Sequence, residues 1–295
     1  MRKLLLIVAA LALAAPARAV ETAAFLDVGV GARYLAMGGA GTALSDDANA
    51  IYWNAAGLAQ ARREFSVSDM ELQQSTRLDF AAFTRPTAYG TFAVGGAYLS
   101  QGSIDGRDAS GQATGNYSAA DADVAAAYGV KTKLLDLGGT VKFVQSHIGS
   151  AQATTFAADL GARKRIGHVV FGAALRNLGP GMKFDTETDD LPMRLALGLA
   201  YKFERGHALT TEITNAPRAG GTDVGFGGEF QAIKNVFLRA GYTTQTAITG
   251  GAGFDAARGL TLGAGFRADG WTIDYAAVPM GELGNTQRFT LGARW

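Results

Sequence analysis

Charged side chains recur along most of this chain at alternate positions of short apolar stretches. In 193–203, Arg194 and Lys202 share one set of alternating positions with small residues, and large apolar residues take the other set. Side chains alternate between the two faces of a β-strand, so this spacing gathers acids and bases on one face, where they can pair across neighbouring strands. The charged residues that the alternation directs to this face are Asp79, Lys142, Asp159, Arg176, Arg194, Glu212, Glu229, Arg239, Arg267, Asp274 and Arg288.

Residues for catalysis or metal binding show no recognisable pattern. The chain has no Cys, which excludes a thiol nucleophile and a Cys-ligated metal. The three His, at 147, 168 and 207, have no partner at the spacing of a zinc motif, and no GxSxG sequence is present. A Ser-His-Asp triad assembled in space would leave no such motif, so the sequence leaves that arrangement open. We predict that the protein is not an enzyme and holds no cofactor.

The charge balance argues against a nucleic-acid partner. Lys and Arg number 27 and Asp and Glu 26, a formal net charge of +1, whereas a nucleic-acid surface needs a clustered basic excess. The length of 295 residues permits one or two domains. The 40 Gly have no collagen period and are expected where strands bend or backbones cross closely.

The first 19 residues have the parts of a secretory signal peptide. Arg2 and Lys3 form the positive end, 4–15 the apolar run, and the Ala-Arg-Ala at 17–19 the cleavage site. The apolar run is shorter than the roughly 20 residues that a membrane-spanning helix needs. We therefore predict a signal peptide over 1–19 and an exported mature chain.

From residue 64 onward the alternation is that of a membrane barrel. The apolar face carries aromatic residues near the strand ends, and the other face mixes charges with Gly and Ala. These features match a transmembrane barrel with an apolar exterior and a polar lumen. A soluble sandwich also alternates, with its apolar face in the core, and is the alternative. We predict an all-β fold, an outer-membrane β-barrel over 63–295.

The strand count follows from the connections. Fifteen candidate strands occur, but single-chain bacterial barrels have an even number, with short turns at one end and longer loops at the other. That arrangement holds if 244–259 is one connection. The stretch 247–254 is therefore predicted as a loop or as extensions of the neighbouring strands, and about fourteen antiparallel strands remain. The other longer loops are predicted at 101–120, 179–191, 216–222 and 279–285.

The C-terminal strand ends on an aromatic residue. Phe289, Leu291 and Trp295 fall on its apolar face. This pattern resembles the signal by which outer-membrane proteins are handed to the barrel-assembly machinery. Pairing of the last strand with the first would leave no exposed sheet edge in lipid.

Residues 20–62 form the one mature stretch without alternation. The residues at 45–47 can cap a short helix over 48–53, and 54–57 then turn the chain. Two adjacent glycines, at 38 and 39, permit a bend or a close backbone approach. We predict a partly helical plug for the barrel, with a mere periplasmic extension as the alternative. Its key positions are predicted to be Gly38, Gly39, Asp46, Tyr52, Trp53, Asn54 and Gly57.

Two motifs resemble those of a known family. GARYLAMGGAGTALSDDANAIYWNAAGLA at 31–59 is similar to the N-terminal signature of PorV/PorQ-type outer-membrane proteins, relatives of the FadL long-chain fatty-acid transporters. The stretches 273–276 and 281–289 are similar to that family's end. The family often has Asn-Pro-Ala-Gly where this chain has Asn-Ala-Ala-Gly at 54–57. The resemblance implies a fourteen-stranded barrel whose N-terminal segment plugs the lumen from the periplasmic side.

The resemblance implies functions of two classes. A PorV-type role would make the protein a partner-binding component of protein secretion, of the type IX kind, with secreted cargo as partner. A FadL-type role would make it a passive channel for hydrophobic small molecules. We take the first as the expectation, with the second as the alternative and a barrel without transport as a third. Outer-membrane lipid and the barrel-assembly machinery are the other predicted partners.

Overall fold

Fourteen antiparallel strands close into one barrel, in which the first barrel strand pairs with the last. This computed structural model describes residues 21–72, 76–245, 259–279 and 285–295. The predicted fold class, an outer-membrane-type β-barrel of about fourteen strands, is confirmed. The predicted signal peptide at 1–19 and the predicted loop at 247–254 lie outside the described residues.

The strand bounds follow the predicted alternation closely. The strands are β1 (Glu64–Glu71), β2 (Arg77–Thr87), β3 (Gly90–Arg107), β4 (Ala113–Lys131), β5 (Asp136–Ile148), β6 (Ala151–Ile166), β7 (Val169–Leu178), β8 (Met182–Phe184), β9 (Glu187–Asp189), β10 (Arg194–Lys202), β11 (Ala208–Asn215), β12 (Thr222–Ile233), β13 (Val236–Thr243), β14 (Leu260–Ala268), β15 (Trp271–Pro279) and β16 (Asn285–Arg294). β8 and β9 pair only with each other, so β7 pairs with β10 in the barrel.

The barrel wall turns its large apolar side chains outward. On β5, Val141 and Phe143 are 63% and 40% exposed, whereas Lys142 and Val144 between and beside them are buried. Similar outward apolar residues occur on strand after strand around the barrel. An apolar exterior of this kind fits a hydrocarbon environment, and the inward face keeps the charged and small residues.

The two ends of the barrel differ in their connections. Short turns at 88–89, 132–135, 167–168, 203–207, 234–235 and 269–270 lie at one end, which we call the turn end. The chain enters β1 and leaves β16 at this end as well. The opposite end, which we call the loop end, holds the longest connections, 179–193 and 244–259.

One predicted loop is replaced by strands. The prediction of a long loop at 101–120 is wrong, because β3 and β4 extend through most of it and have 18 and 19 residues. Ser103 faces Ser118 and Asp105 faces Asn116 across the extension. The residues of this extension are mostly exposed, so neither of its faces has to be apolar. The strands pair there through backbone hydrogen bonds, and the sequence shows no alternation of apolar and polar residues.

A β-bulge interrupts the pairing of β6 with β7. The register shifts between Ala158 and Leu160, and Asn177 adopts a left-handed backbone with φ of 59°. As a result Arg176 and Asn177, although adjacent, are both buried. Bulges re-aim side chains in this way, and here one adds a second polar side chain to the lumen.

Residues 21–62, which we call the luminal segment, run through the barrel from the loop end to the turn end. The backbone N–H of Thr22 donates to Asp190 O at 2.9 Å, and Thr84 Oγ1 donates to Arg62 O at 2.6 Å. The segment therefore traverses the lumen, whereas the resemblance places it at the periplasmic mouth. Its elements are a 3-10 turn (Ala24–Asp27), α1 (Ala32–Leu35), α2 (Ala50–Trp53) and a second 3-10 turn (Ala55–Gln60).

The predicted helix over 48–53 is shorter in the structure. It starts at Ala50, and Asp47 Oδ1 accepts from the backbone N–H of Asn49 just before it. No helix among the described residues is long and apolar enough to cross a membrane.

Candidate functional site

Inward-facing glycines seat the luminal segment against the barrel wall. A Cβ on any of them would overlap or crowd atoms of the segment, so the absence of a side chain sets how closely the segment approaches. Four pairs of them face each other directly on neighbouring strands. The glycines are Gly129, Gly138, Gly161, Gly172, Gly198, Gly225, Gly227, Gly241 and Gly263. The space that they leave is filled by polypeptide and does not form an open channel.

The two glycines predicted as a flexible point have different surroundings. Gly38 and Gly39 both have left-handed backbones, with φ of 68° and 71°. A Cβ on Gly38 would overlap the carbonyl oxygen of Tyr242, whereas a Cβ on Gly39 would meet Trp53 only at 3.8 Å. The backbone N–H of Gly38 also donates to Thr261 Oγ1 at 3.1 Å. Gly38 is therefore a contact point with the wall, whereas a Cβ on Gly39 would cause no overlap.

Asn54 joins the segment to itself and to the wall. Its Nδ2 donates to Thr42 O at 2.9 Å and to Ala162 O at 3.2 Å, and its Oδ1 accepts from the N–H of Ala56 at 3.0 Å. Gly57 nearby has no room for a side chain, since a Cβ there would overlap Ser45 O. The Asn-Ala-Ala-Gly turn is thus held by hydrogen bonds and close packing without the proline that the resembled family often has.

Glu229 is the centre of a buried charge network. Its carboxylate accepts from Arg33 of the segment at 2.8 and 2.9 Å, from Arg239 at 2.8 Å and from Arg267 at 3.1 Å. Arg239 also pairs with Asp274 at 2.8 Å. Buried charges must be paired to be tolerated, and this network fixes α1 to β12, β13 and β15.

Arg33 was not among the residues predicted from the sequence. A signal for it exists, because Arg33 is the lone charge in the otherwise uncharged stretch 29–44. A single charge in such surroundings needs a partner if the stretch is buried. The alternation that selected the strand residues does not extend to this segment.

Further charges pair on the other side of the lumen. Lys142 Nζ lies 2.7 Å from Asp159 and donates to Asn177 Oδ1 at 2.8 Å. Glu212 accepts from the N–H of Thr42 at 2.7 Å and lies 3.6 Å from Arg176. Opposite charges on neighbouring strands thus pair as the alternation predicts. The contact of Glu212 with Thr42 also joins the wall to the luminal segment.

Two predicted lumen residues differ from the rest. Arg288 is buried, but none of the described carboxylates pairs with it, and it donates only to Val28 O and Thr286 Oγ1, both at 3.4 Å. Asp79 is not on the inner face: its side chain is 48% exposed, whereas the neighbouring Leu78 and Phe80 are buried. The prediction that Asp79 faces the lumen is wrong, because the alternation in the first strands is too short to show which face is inward. Asp79 pairs with Arg77 on the outer side.

Burial and neighbouring charge shift the pKa values of two carboxyl groups of the segment in opposite directions. Burial raises the pKa of Asp46, but the charges of Lys202 and Arg33 outweigh it and lower this pKa well below its usual range. The pKa of Asp27 is raised, because burial outweighs the attraction of Arg194. Asp46 therefore stays ionised, and its 2.5 Å pair with Lys202 persists at neutral pH.

A cavity of about 50 Å³ remains beside the segment, on its loop-end side. The apolar part of its lining includes Val28, Leu35, Tyr52, Trp53 and Val278, and the charged part includes Asp27, Arg176, Arg194 and Glu212. The guanidinium of Arg176 lies 5.7 and 5.5 Å from the ring centres of Tyr52 and Trp53. Of the predicted plug residues, Gly38, Gly39, Tyr52 and Trp53 line this cavity, and Asp46, Asn54 and Gly57 do not.

The described residues contain no group of three or more His, Cys, Asp or Glu side chains arranged to hold a metal ion. Most of the luminal charges are instead paired with each other, and Arg288 is the exception among the predicted lumen residues. The chemistry of the site is therefore that of ion pairs and an aromatic surface.

Solved structures share this architecture from end to end. The toluene transporter TodX of Pseudomonas putida matches with a TM-score of 0.66 at 14% identity, over 94% of this chain and 97% of TodX. A FadL homologue from Pseudomonas aeruginosa matches with a TM-score of 0.56 at 13% identity, over 90% and 98% of the two chains. A TodX deltaS2S3 mutant, a monoaromatic hydrocarbon channel, matches with a TM-score of 0.60 at 15% identity, over 90% and 97%. No protein-family model and no curated protein matches the chain.

The fold is that of an outer-membrane β-barrel. At these identities the likeness concerns the fold alone. It agrees with the FadL part of the resemblance and gives no support to the PorV/PorQ type or to a role in protein secretion. TodX is described as a transporter and its deltaS2S3 mutant as a channel, and the third structure is described only as a FadL homologue.

Proposed function

We propose that this protein is an outer-membrane channel for small hydrophobic molecules, with the luminal segment as its plug. The observation that carries this proposal is the aromatic cavity at Tyr52 and Trp53, next to Gly39, in a lumen that is otherwise filled. The likeness to a toluene transporter and to a FadL homologue adds support at the level of fold.

The present cavity is too small for an aromatic hydrocarbon. Its volume of about 50 Å³ is well below the roughly 150 Å³ of a cavity that holds benzene. A ligand therefore requires part of the luminal segment to move. The two halves of the segment differ in how firmly they are held.

Residues 31–62 are held by many contacts. The inward glycines, the Arg33–Glu229 pair and Asn54 all bind this half to the wall. Residues 21–30 depend on fewer contacts, chiefly those of Arg194 with Glu21 at 2.7 Å and with Asp27 at 2.8 Å. We call these two ion pairs the latch, and its release would let 21–30 swing away from the cavity.

The cavity lining indicates the class of ligand. Two aromatic rings and three aliphatic side chains offer an apolar surface on one side, and the charged groups opposite are already paired. A small uncharged hydrophobic molecule suits such a surface, since apolar ligands gain by leaving water and need few polar contacts.

The predicted organisation belongs to the same proposal. Residues 1–19 act as a signal peptide, 20–62 as plug and 63–295 as barrel, and the mature protein resides in the bacterial outer membrane in contact with its lipid. Phe289, Leu291 and Trp295, which are 51%, 46% and 62% exposed on the outside, are proposed to guide the last strand to the barrel-assembly machinery.

Uptake by cells that lack other hydrophobic channels tests this function. Cells that produce the protein should accumulate labelled toluene faster than cells with an empty vector, and Arg194→Gln, which opens the latch, should accelerate uptake further. Arg107→Gln, at an exposed arginine of the β3–β4 hairpin, is the matched control and should leave uptake unchanged. Equal uptake with and without the protein, at normal surface levels, would refute the channel proposal.

A further inference from the structure

A basic recess opens at the turn end of the barrel, apart from the aromatic cavity. Its volume is about 790 Å³. The turn 132–135 and the ends of β4, β6, β10 and β16 surround it, and the luminal segment forms its floor. The cationic residues that line it are Arg62, Lys131, Lys133, Arg163, Lys164, Arg165, Lys202 and Arg294.

Among the residues that the structure describes, two carboxylates line the same recess, and both have partners. Asp46 pairs with Lys202 at 2.5 Å, and Asp136 accepts from Gln60 at 3.1 Å. Arg294 forms an ion pair at 3.0 Å with Glu64, which does not line the recess. For the other six cations the described part of the chain supplies no carboxylate within ion-pair distance, so the recess keeps a large positive charge.

Arg163 gives the recess a second, independent feature. It is only 4% exposed, and its Nη1 donates to Ser45 O at 3.1 Å, but its Nε has no acceptor among the described residues. A buried donor without a partner is costly, and a protein normally supplies an acceptor for it. Arg163 lines the recess. A buried guanidinium with a spare donor beside a cluster of cations is the arrangement expected for a bound anion.

We infer that the basic recess binds a phosphate-bearing anion. A phosphate group carries up to two negative charges in a small volume, whereas a carboxylate carries one. Fewer phosphate groups than carboxylates are therefore needed to neutralise the cations of the recess. Arg and Lys together suit it, since guanidinium groups bind phosphate oxygens in pairs and ammonium groups act as point charges. The anion could be a free phosphate compound or the headgroup of a membrane phospholipid, because the recess lies at the barrel rim.

Titration calorimetry on the full-length protein in neutral detergent tests the free-anion form, with inorganic pyrophosphate as the probe at low ionic strength. We expect saturable binding that weakens as salt is added. Binding should fall about tenfold in Lys131→Gln/Arg165→Gln, two exposed residues of the recess. The control Arg107→Gln/Lys183→Gln removes the same charge from exposed residues away from the recess and should bind as the wild type does.

Nanodiscs test the headgroup form. Native mass spectrometry after reconstitution with equal parts of phosphatidylglycerol and phosphatidylcholine should show retained phosphatidylglycerol on the wild type and the control, and less on the recess variant. Saturable binding in either arm that the recess variant weakens supports the inference, and the arm that responds identifies the source of the phosphate. The inference would be overturned if neither pyrophosphate nor phosphatidylglycerol bound, or if the recess and control variants bound equally. Binding of polyglutamate without binding of pyrophosphate would also overturn it.

Arg163→Gln is a sharper variant with a greater risk of misfolding, because Arg163 also donates to Ser45 O. Heat-modifiable migration on a gel shows whether its barrel is folded. In folded protein it should weaken binding at least as much as the double variant. Unchanged binding in folded Arg163→Gln would also count against the inference.

Discussion

Gly38 donates its backbone N–H to Thr261 Oγ1 at 3.1 Å, where the luminal segment touches β14. On the same residue a Cβ would overlap the carbonyl oxygen of Tyr242 on β13. The segment and the wall therefore meet backbone to backbone. Gly39 also has a left-handed backbone, but a Cβ there would make only an ordinary contact with Trp53. The two glycines therefore form a natural pair for comparison.

Gly38→Ala should destabilise the folded barrel more than Gly39→Ala. Both changes place an alanine in a left-handed conformation, at about 1–2 kcal/mol. Only the change at Gly38 adds steric overlap with the wall, of about 1–3 kcal/mol. The temperature at which the heat-modifiable band disappears measures the difference, and equal shifts would contradict the contact described for Gly38.

Opening the latch should free the first part of the luminal segment. Arg194→Gln removes the ion pairs to Glu21 and Asp27, while the contacts of 31–62 remain. Amide hydrogen exchange over 22–30 should accelerate by about tenfold or more, since about 1.4 kcal/mol corresponds to a factor of ten. Exchange over 31–60 should change little. Equal acceleration throughout the segment would show that its two halves move together.

Two buried arginines should respond in opposite ways to replacement by Met. Arg239→Met removes the partner of Asp274 and should cost about 3–5 kcal/mol, because a buried carboxylate loses its compensating charge. Arg288→Met removes a guanidinium for which the described residues offer no carboxylate, so it should be neutral or stabilising. Thermal unfolding measures both variants. A large loss with Arg288→Met would indicate an acidic partner for this residue in the folded protein.

Trp295→Ala should slow assembly of the barrel more than the same change at another outward aromatic residue. The Trp295 ring lies 5.1 Å from the guanidinium of Arg63 and 6.2 Å from the ring of Phe83, at the junction of first and last strands. Phe230→Ala is the matched control, as Phe230 is 57% exposed on the outer face of β12. The rate of assembly is measured as the fraction of newly made protein that becomes heat-modifiable with time. Equal rates for Trp295→Ala and Phe230→Ala would contradict a special role of Trp295 in assembly.

Much of the barrel could be predicted because its signal is local. A strand such as β10 shows its two faces in nine consecutive residues, and short turns separate most neighbours. The outer ends of β3 and β4 escaped prediction because they leave the apolar belt, so nothing requires alternation there. Asp79 was assigned to the wrong face for a related reason, since the alternation near the start of the barrel is too short to set the register.

The sequence by itself determined a series of strands with one apolar and one charged face and one non-alternating segment, because each of these depends on residue types at short spacing. Only the tertiary structure decided how the interior is filled. The inward glycines could equally have left an open channel, and Arg33 could have paired elsewhere, since both outcomes depend on contacts between residues far apart in the chain. The closed lumen, the aromatic cavity and the basic recess all arise from where the luminal segment passes through the barrel.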